Sequence, residues 1–183
     1  ITLKRVLGNR HGEAFSLVNL GNTYRRAHNY ESAIEVYEEA LEIWRELDLS
    51  RKEEDTLDNL GHTALDWGLF DIAIEFYEQS LSIKRENNDQ LGEASALISL
   101  GIAYYRSGKI DEAIGSHQES LTIARDLNDI DLEASALGNL ANIYQTTGDL
   151  QLAINLKFQS LEIFRSADDL EGQAAVLNAL GDI

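Results

Sequence analysis

The sequence contains no proline, no cysteine and no methionine. Without cysteine, the chain can form no disulfide bond, no thiolate metal site and no cysteine nucleophile. Without proline, every residue has the backbone N–H group that continues a helix. A chain free of cysteine suits a reducing compartment, and we expect a cytoplasmic protein.

Basic residues and long apolar runs are also scarce. Lys and Arg number 15 against 32 Asp and Glu, which gives a net charge of −17 over 183 residues. Such a surface repels phosphate groups and anionic lipids, so we expect neither a nucleic acid nor a membrane as partner. No apolar stretch approaches the roughly 20 residues that cross a bilayer.

What the sequence does contain is an internal repeat with a period of 40 residues. A leucine followed by a small residue recurs at every period, and an Ala-Ile pair follows the first four of these leucines at a constant distance. The leucines are Leu20, Leu60, Leu100, Leu140 and Leu180, and the pairs begin at Ala33, Ala73, Ala113 and Ala153. So many positions in register indicate one structural unit that is repeated along the chain.

Each unit is predicted to form two helices, A and B. Leu97, Leu100 and Tyr104 have helical spacing in helix A, and Gly108 then ends that helix. Small residues at the Gly21 position and its equivalents let the two helices approach closely. Neither helix can bury its apolar stripe alone, so the units must stack. Capping-box spacing at Ser50 with Glu53 and at Asp168 with Glu171 predicts where helix A begins.

This pattern resembles the tetratricopeptide repeat. Its first unit carries Leu17-x-x-Leu20-Gly21-x-x-Tyr24 and then Ala33-x-x-x-Tyr37. The period of 40 is longer than the usual unit and is similar to that of cell-polarity scaffolds and of bacterial signalling proteins. The resemblance implies an all-α fold, a right-handed superhelical α-solenoid of antiparallel helix pairs. A fold by itself does not determine function, so the resemblance implies less about what the protein does.

The register of the repeat predicts the organisation of the whole chain, which we expect to be a fragment of a longer array. The expected divisions are 1–7 as the end of a preceding helix B, 8–47 as repeat 1, 48–87 as repeat 2, 88–127 as repeat 3, 128–167 as repeat 4, and 168–183 as helix A of a further repeat. An end without its neighbour exposes apolar surface, so homo-association through such ends is possible.

In this family, side chains of helix A line the concave groove in which a protein or peptide binds. Matching positions one by one gives a candidate peptide-binding groove with mixed charge. Its residues are Phe15, Asn22, Arg25, Arg26, Asp58, His62, Asp66, Ile102, Tyr105, Arg106, Asn142 and Gln145. The asparagines either hold a peptide backbone or satisfy local polar groups, and both interpretations stay open. The acids of the second helix, such as Glu31 and Glu35, are expected to be a solvated face.

Other kinds of site find little support in the sequence. The four histidines fall in different positions of the repeat, which argues against a metal site, and we expect no cofactor. No motif for a nucleophile, a phosphate loop or a zinc hydrolase is present, so we predict that the chain is not an enzyme. Trp44 and Trp67 are expected to pack, although Trp67 could instead be an exposed anchor.

Three functions therefore remain in competition. The first is a protein-binding scaffold that holds a peptide or protein segment in the helix A groove. The second is a self-assembling array that stacks end to end, and the third is the regulatory or sensor arm of a larger signalling NTPase. We expect the first.

Overall fold

The computed structural model describes residues 2–181, with side chains from Asn9 onward. Within this range the backbone is helical apart from short turns, and the described residues contain no strand. The helices are α1 Thr2–Arg26, α2 Tyr30–Glu46, α3 Ser50–Trp67, α4 Phe70–Glu86, α5 Gln90–Arg106, α6 Ile110–Leu127, α7 Ile130–Thr147, α8 Leu150–Ser166 and α9 Leu170–Gly181. The fold is an all-α solenoid of helix pairs, in which α1, α3, α5, α7 and α9 are the A helices and α2, α4, α6 and α8 the B helices.

A residue with positive φ lies in each turn between helices. Glycine occupies this position in three of the turns from helix A to helix B, as at Gly68 (φ 86°), whereas His28 (φ 57°) occupies it in the first. In the turns from helix B to the next helix A the residue is Asp or Asn. These residues tolerate the left-handed region better than most others. They are Asp48, Asn88, Asn128 and Asp168.

The helices belong to two compact units, residues 1–89 and residues 90–183. In the first unit, α1 packs on α2, α2 on α3, and α3 on α4. Tyr37 of α2 is fully buried among Ala33, Leu41, Leu57 and Leu60. Burial of each large side chain of this kind contributes about 1.5–3 kcal/mol, so stacking of the pairs supplies the stability that a single pair lacks.

Trp44 belongs to a second cluster of the first unit. It is 1% exposed and packs with Ala14, Ala40 and Ile43. Its packing role is therefore confirmed. Trp67 differs, because 44% of it is exposed and its ring centroid lies 6.4 Å from that of Tyr30.

In the second unit, α5 packs on α6, α6 on α7, α7 on α8, and α8 on α9. The core between α7 and its neighbours contains Leu121, Leu137, Leu140 and Leu156. No helix packs over the outer face of α9 within the described residues, and Leu177 is 51% exposed there. The equivalent Leu137 of α7 is fully buried in a cluster that includes Leu156 of α8.

The beginning of the chain differs from the expected division. Residues 2–7 continue directly into the first helix A, because α1 runs without a break from Thr2 to Arg26. The boundary expected after residue 7 is therefore not a helix end. Ile1, Asp182 and Ile183, which the sequence assigned to the two outer divisions, lie outside the described residues.

The capping boxes predicted for α3 and α9 are wrong, because each of these helices has its N-cap one residue away from the predicted position. Leu49 is the N-cap of α3 and makes no side-chain capping bond, while Ser50 is already helical. Glu53 instead accepts a hydrogen bond from Arg45 Nε at 2.7 Å. At α9, Asp168 has positive φ, and the next residue, Asp169, accepts from the N–H groups of the first turn.

Candidate functional site

The helix A face of the first unit is formed by α1 and α3. Phe15 is 57% exposed on α1, and Arg26 is exposed near the end of the same helix. Neither side chain contributes to the cores described above. Both side chains are therefore exposed to solvent on α1.

Asn22 has a local partner. Its Oδ1 accepts a hydrogen bond from the hydroxyl of Tyr37 at 2.8 Å. The residue is half-buried. The local role left open by the sequence is thus present in the structure, and it leaves the amide NH₂ of Asn22 for other contacts.

Arg25 and Asp66 join α1 to α3. The guanidinium Nε of Arg25 donates to Asp66 Oδ2 at 2.8 Å, and both side chains are substantially exposed. A pair of this kind contributes about 0–1 kcal/mol. Two predicted groove residues of opposite charge therefore largely neutralise each other.

Asp58 makes a contact that the sequence did not indicate. Lys84, only 5% exposed, donates to Asp58 Oδ2 at 2.8 Å and to Ser80 Oγ at 2.9 Å. Burial raises the pKa of the neighbouring Glu54, and the positive charge of Lys84 opposes that rise. The sequence carried a signal for this contact, because Lys84 is charged whereas the equivalent residues of the other repeats are apolar. These residues are Trp44, Ala124 and Phe164.

His62 lies half-buried on the same face of α3 as Asp58. Its ring meets that of Tyr77 edge-on, with centroids 5.4 Å apart. Burial, followed by the positive charge of Arg25, lowers the pKa of His62 below its usual 6.5, despite the opposing effect of Asp58. His62 is therefore neutral at pH 7 and acts as a polar contact.

The helix A face of the second unit is formed by α5 and α7. Tyr105 donates from its hydroxyl to Thr146 Oγ1 at 3.1 Å, and Gln145 Oε1 accepts from the buried Lys157 Nζ at 2.9 Å. Ile102 is half-buried, while Arg106 and Asn142 are exposed. The structure thus places the predicted residues of this unit on one pair of A helices.

A surface cleft on the B-helix side of the second unit was not predicted. It has a volume of about 390 Å³, and Phe158 on its wall is 50% exposed. The sequence carried an indication of it, because Glu38, Glu78 and Gln118 occupy the Phe158 position elsewhere. In the part of the chain that the structure describes, no group of three or more His, Cys, Asp or Glu residues could hold a metal ion. No helix there is long and apolar enough to cross a membrane.

Two tetratricopeptide-repeat family models match the chain, one over residues 2–46, 12–86 and 52–126 and the other over residues 134–156. The chain belongs to the tetratricopeptide-repeat family. Repeats of this family are generally non-catalytic modules for protein interaction. A comparison with curated proteins found no match.

Solved structures similar to this tetratricopeptide-repeat chain share its fold at low identity. BtubC (BKLC) from P. vanneervenii is 19% identical with a TM-score of 0.72, and the match covers 100% of this chain and 91% of that one. The STAND protein PH0952 from Pyrococcus horikoshii, which has a tetratricopeptide repeat sensor, is 17% identical with a TM-score of 0.82 over 91% of this chain and 26% of that one. A Rap protein complexed with Competence and Sporulation Factor is 16% identical with a TM-score of 0.73 over 94% and 54%. The chain thus spans about half or less of the latter two proteins.

Proposed function

We propose that this tetratricopeptide-repeat chain is a scaffold that binds a peptide or protein segment along its helix A faces. The observation that carries the proposal is the exposure of Phe15 and Arg26 on the A-helix face of the first unit, where packing does not use them. Large aromatic and arginine side chains supply much of the binding energy at protein interfaces. The Rap protein that shares this fold was solved as a complex, which supports a binding role.

The charge distribution supports the same placement. The outward face of α2 is strongly acidic and exposed, as expected, and its exposed residues include no aromatic side chain. Its exposed acids are Glu31, Glu35, Glu38, Glu39, Glu42 and Glu46. The helix A faces are instead mixed, with Arg25 and Asp66 paired and Asn142 exposed. A mixed surface suits a segment whose side chains alternate in character.

The organisation that we propose for this function follows the repeat. Residues 8–47, 48–87, 88–127 and 128–167 act as four repeats, and the segment from residue 168 supplies the helix A of a fifth. We further propose that the scaffold works in the cytoplasm, since the cysteine-free composition suits a reducing compartment.

The test is a selection of peptides from a random phage-displayed library on the intact chain. The affinities of the selected peptides are then measured for Phe15→Ala and Arg26→Glu by fluorescence anisotropy. We expect each substitution to weaken binding by about tenfold, because interface anchors of these types commonly have effects of that size. The helical circular dichroism should not change.

Phe158→Ala is the matched control, because Phe158 is also a half-exposed phenylalanine but lies on a B helix. It should leave affinity unchanged. Peptides that bind the Phe15 and Arg26 variants as tightly as the parent chain, or that lose affinity only with Phe158→Ala, would contradict the proposal.

A second candidate function is self-assembly, and exposure of Leu170 (77%) and Leu177 (51%) on α9 favours it. Light scattering across a dilution series would show a mass that rises with concentration, and Leu177→Ser should abolish the rise. A mass that stays at 20.4 kDa at every concentration excludes this function.

A third candidate, a sensor arm of a larger signalling NTPase, is favoured by the shared fold with the sensor-bearing STAND protein. Mass spectrometry of the native protein tests it. A species of 20.4 kDa without an NTPase domain would contradict it.

A further inference from the structure

Two tyrosines occupy equivalent places in the first unit, 40 residues apart. Tyr37 covers Gly21 and Tyr77 covers Gly61, and a Cβ atom built on either glycine would lie 2.5 or 2.6 Å from the ring. Both tyrosines are fully buried. Their phenol rings are therefore held in the same way by their own helix pairs.

Their hydroxyl groups nevertheless differ in bonding. The hydroxyl of Tyr37 donates to the carboxamide oxygen of Asn22 at 2.8 Å, whereas the buried hydroxyl of Tyr77 has no partner. His62 occupies the place that Asn22 has in the first repeat, and it meets Tyr77 with its ring edge. An unpartnered buried hydroxyl is costly, so this group is available to any acceptor that reaches it.

A second unpartnered atom lies on the same face of α3. Asp58 stands one helical turn before His62, and its Oδ2 is taken by Lys84 while its Oδ1 has no partner. Residues four apart on a helix are neighbours, about 5–6 Å between Cβ atoms. The negative charge of Asp58 helps burial to raise the pKa of Tyr77, which keeps the phenol protonated and able to donate.

The two aspartates of this face are already paired with cations. Lys84, which also lies beside Glu54, donates to Asp58, and Arg25 donates to Asp66. Burial lowers the pKa of His62, which favours its neutral ring. What remains is one donor, on Tyr77, and one acceptor, on Asp58. A neutral group that carries both an acceptor and a donor satisfies the pair, and a carboxamide is such a group.

From this geometry we propose that Tyr77, Asp58 and His62 form a subsite for a carboxamide, the side chain of an Asn or Gln in the bound peptide. Its oxygen accepts from the Tyr77 hydroxyl, as Asn22 does for Tyr37, and its NH₂ donates to Asp58 Oδ1. His62 covers the subsite, and rotation of its half-buried side chain admits the ligand. The inference rests on the proposed function and specifies the side chain that the first unit selects.

The experiment uses peptides selected on the intact chain from a random library. We expect Asn or Gln to be enriched at one position, and replacement of that residue by Leu to weaken binding by about tenfold, because Leu leaves both polar atoms unsatisfied. In the His62→Asn variant a carboxamide of the chain itself reaches Tyr77. The Asn-to-Leu effect should then fall to within about twofold, and the thermal midpoint of the variant should rise.

Asn22→His is the matched control in the neighbouring repeat. It removes the partner of Tyr37 and should lower the thermal midpoint, while the effect of the peptide carboxamide at Tyr77 stays at about tenfold. A His62→Asn variant that keeps the full tenfold effect would overturn the subsite.

Other outcomes separate the subsite from the proposed function. Peptides that need Phe15 and Arg26 but show no preference for Asn or Gln overturn the subsite alone. Enrichment of Lys or Arg that is lost with Asp58→Asn also overturns it, since a cation would then be the ligand. A selection that yields no peptide dependent on the helix A face overturns both.

Discussion

At the scale of the residue, the ring on helix B determines that the residue packed against it on helix A is glycine. Glycine stands below Tyr37, Tyr77 and His117, and in each case a Cβ atom would come within 2.6 Å of the ring. In the fourth repeat Ala141 replaces the glycine, and there the opposite residue is Lys157. A lysine stem can bend away from a methyl group, whereas a ring held on all sides cannot.

Gly21→Ala should therefore destabilise the chain although alanine is the better helix former. The added methyl group forces Tyr37 to move, and overpacking of this kind costs about 1–3 kcal/mol. Gly138→Ala is the control, because a Cβ there meets nothing within 4 Å. It should stabilise the chain by about 0.5–1 kcal/mol. Urea unfolding measures both changes, and a loss at Gly138 equal to that at Gly21 would refute the packing account.

His117 makes stability depend on pH. It is 1% exposed, its Nδ1 has no partner, and burial lowers its pKa from 6.5 to about 4. The folded chain thus favours the neutral ring. This preference stabilises the folded chain above pH 6.5. The stabilisation disappears as the pH falls from 6.5 towards about 4, and the loss in unfolding free energy then reaches about 3 kcal/mol.

His117→Tyr should remove this contribution, because tyrosine is the residue that Gly21 and Gly61 accept at the same place. Unfolding free energies measured at pH 7 and pH 4.5 would show a smaller fall for His117→Tyr than for the parent chain. The titrating acids are common to both proteins, so they cancel in the comparison. Equal falls would show that His117 does not titrate on unfolding.

At the scale of the element, equivalent helices begin with very similar backbone but different capping. Asp149 caps α8 by accepting from the N–H of Leu152, whereas Asn29, with nearly the same φ and ψ, makes no side-chain bond to α2. The position is thus suited to a capping carboxylate.

Ion pairs join a helix B to the helix A that follows it. Arg45 contacts Glu53 at 2.7 Å, and Arg125 contacts Glu133 at 2.8 Å.

Asn29→Asp should stabilise the chain by about 0.5–1 kcal/mol, through a capping bond and the favourable interaction of a carboxylate with the helix N-terminus. Asp149→Ala tests the same geometry in reverse and should cost about 1 kcal/mol. Thermal unfolding followed by circular dichroism measures both. The capping interpretation fails if Asn29→Asp lowers the midpoint.

At the scale of the whole molecule, electrostatic repulsion dominates over ion pairing. The net charge is −17, and solvent screens the exposed ion pairs, such as Arg10 with Glu46, so that each contributes little. Salt screens both the repulsion between acids and the attraction within ion pairs. The repulsion is the larger effect, because the acids greatly outnumber the basic residues. A high net charge of one sign destabilises a compact chain.

Raising NaCl from about 20 mM to about 500 mM should therefore raise the thermal midpoint, because the Debye length shortens from tens of ångströms to a few. Glu38→Lys, at an exposed position among the acids of α2, should raise the midpoint at low salt and reduce the salt effect. A midpoint that falls with salt would mean that ion pairs, and not repulsion, govern stability.

The sequence by itself determined the repeat, the helix pairs and the tetratricopeptide-repeat family, because these follow from periodic apolar and small residues that recur every 40 positions. It also identified Phe15 and Arg26 as residues of an exposed helix A face. Only the tertiary structure decided which polar groups are already satisfied. Lys84 reaches Asp58 from 26 residues away, Arg25 reaches Asp66 from 41, and Tyr77 is left without a partner. A repeat period records which side chains face the same way, but hydrogen bonds depend on side-chain length and rotamer across neighbouring helices, which no period contains.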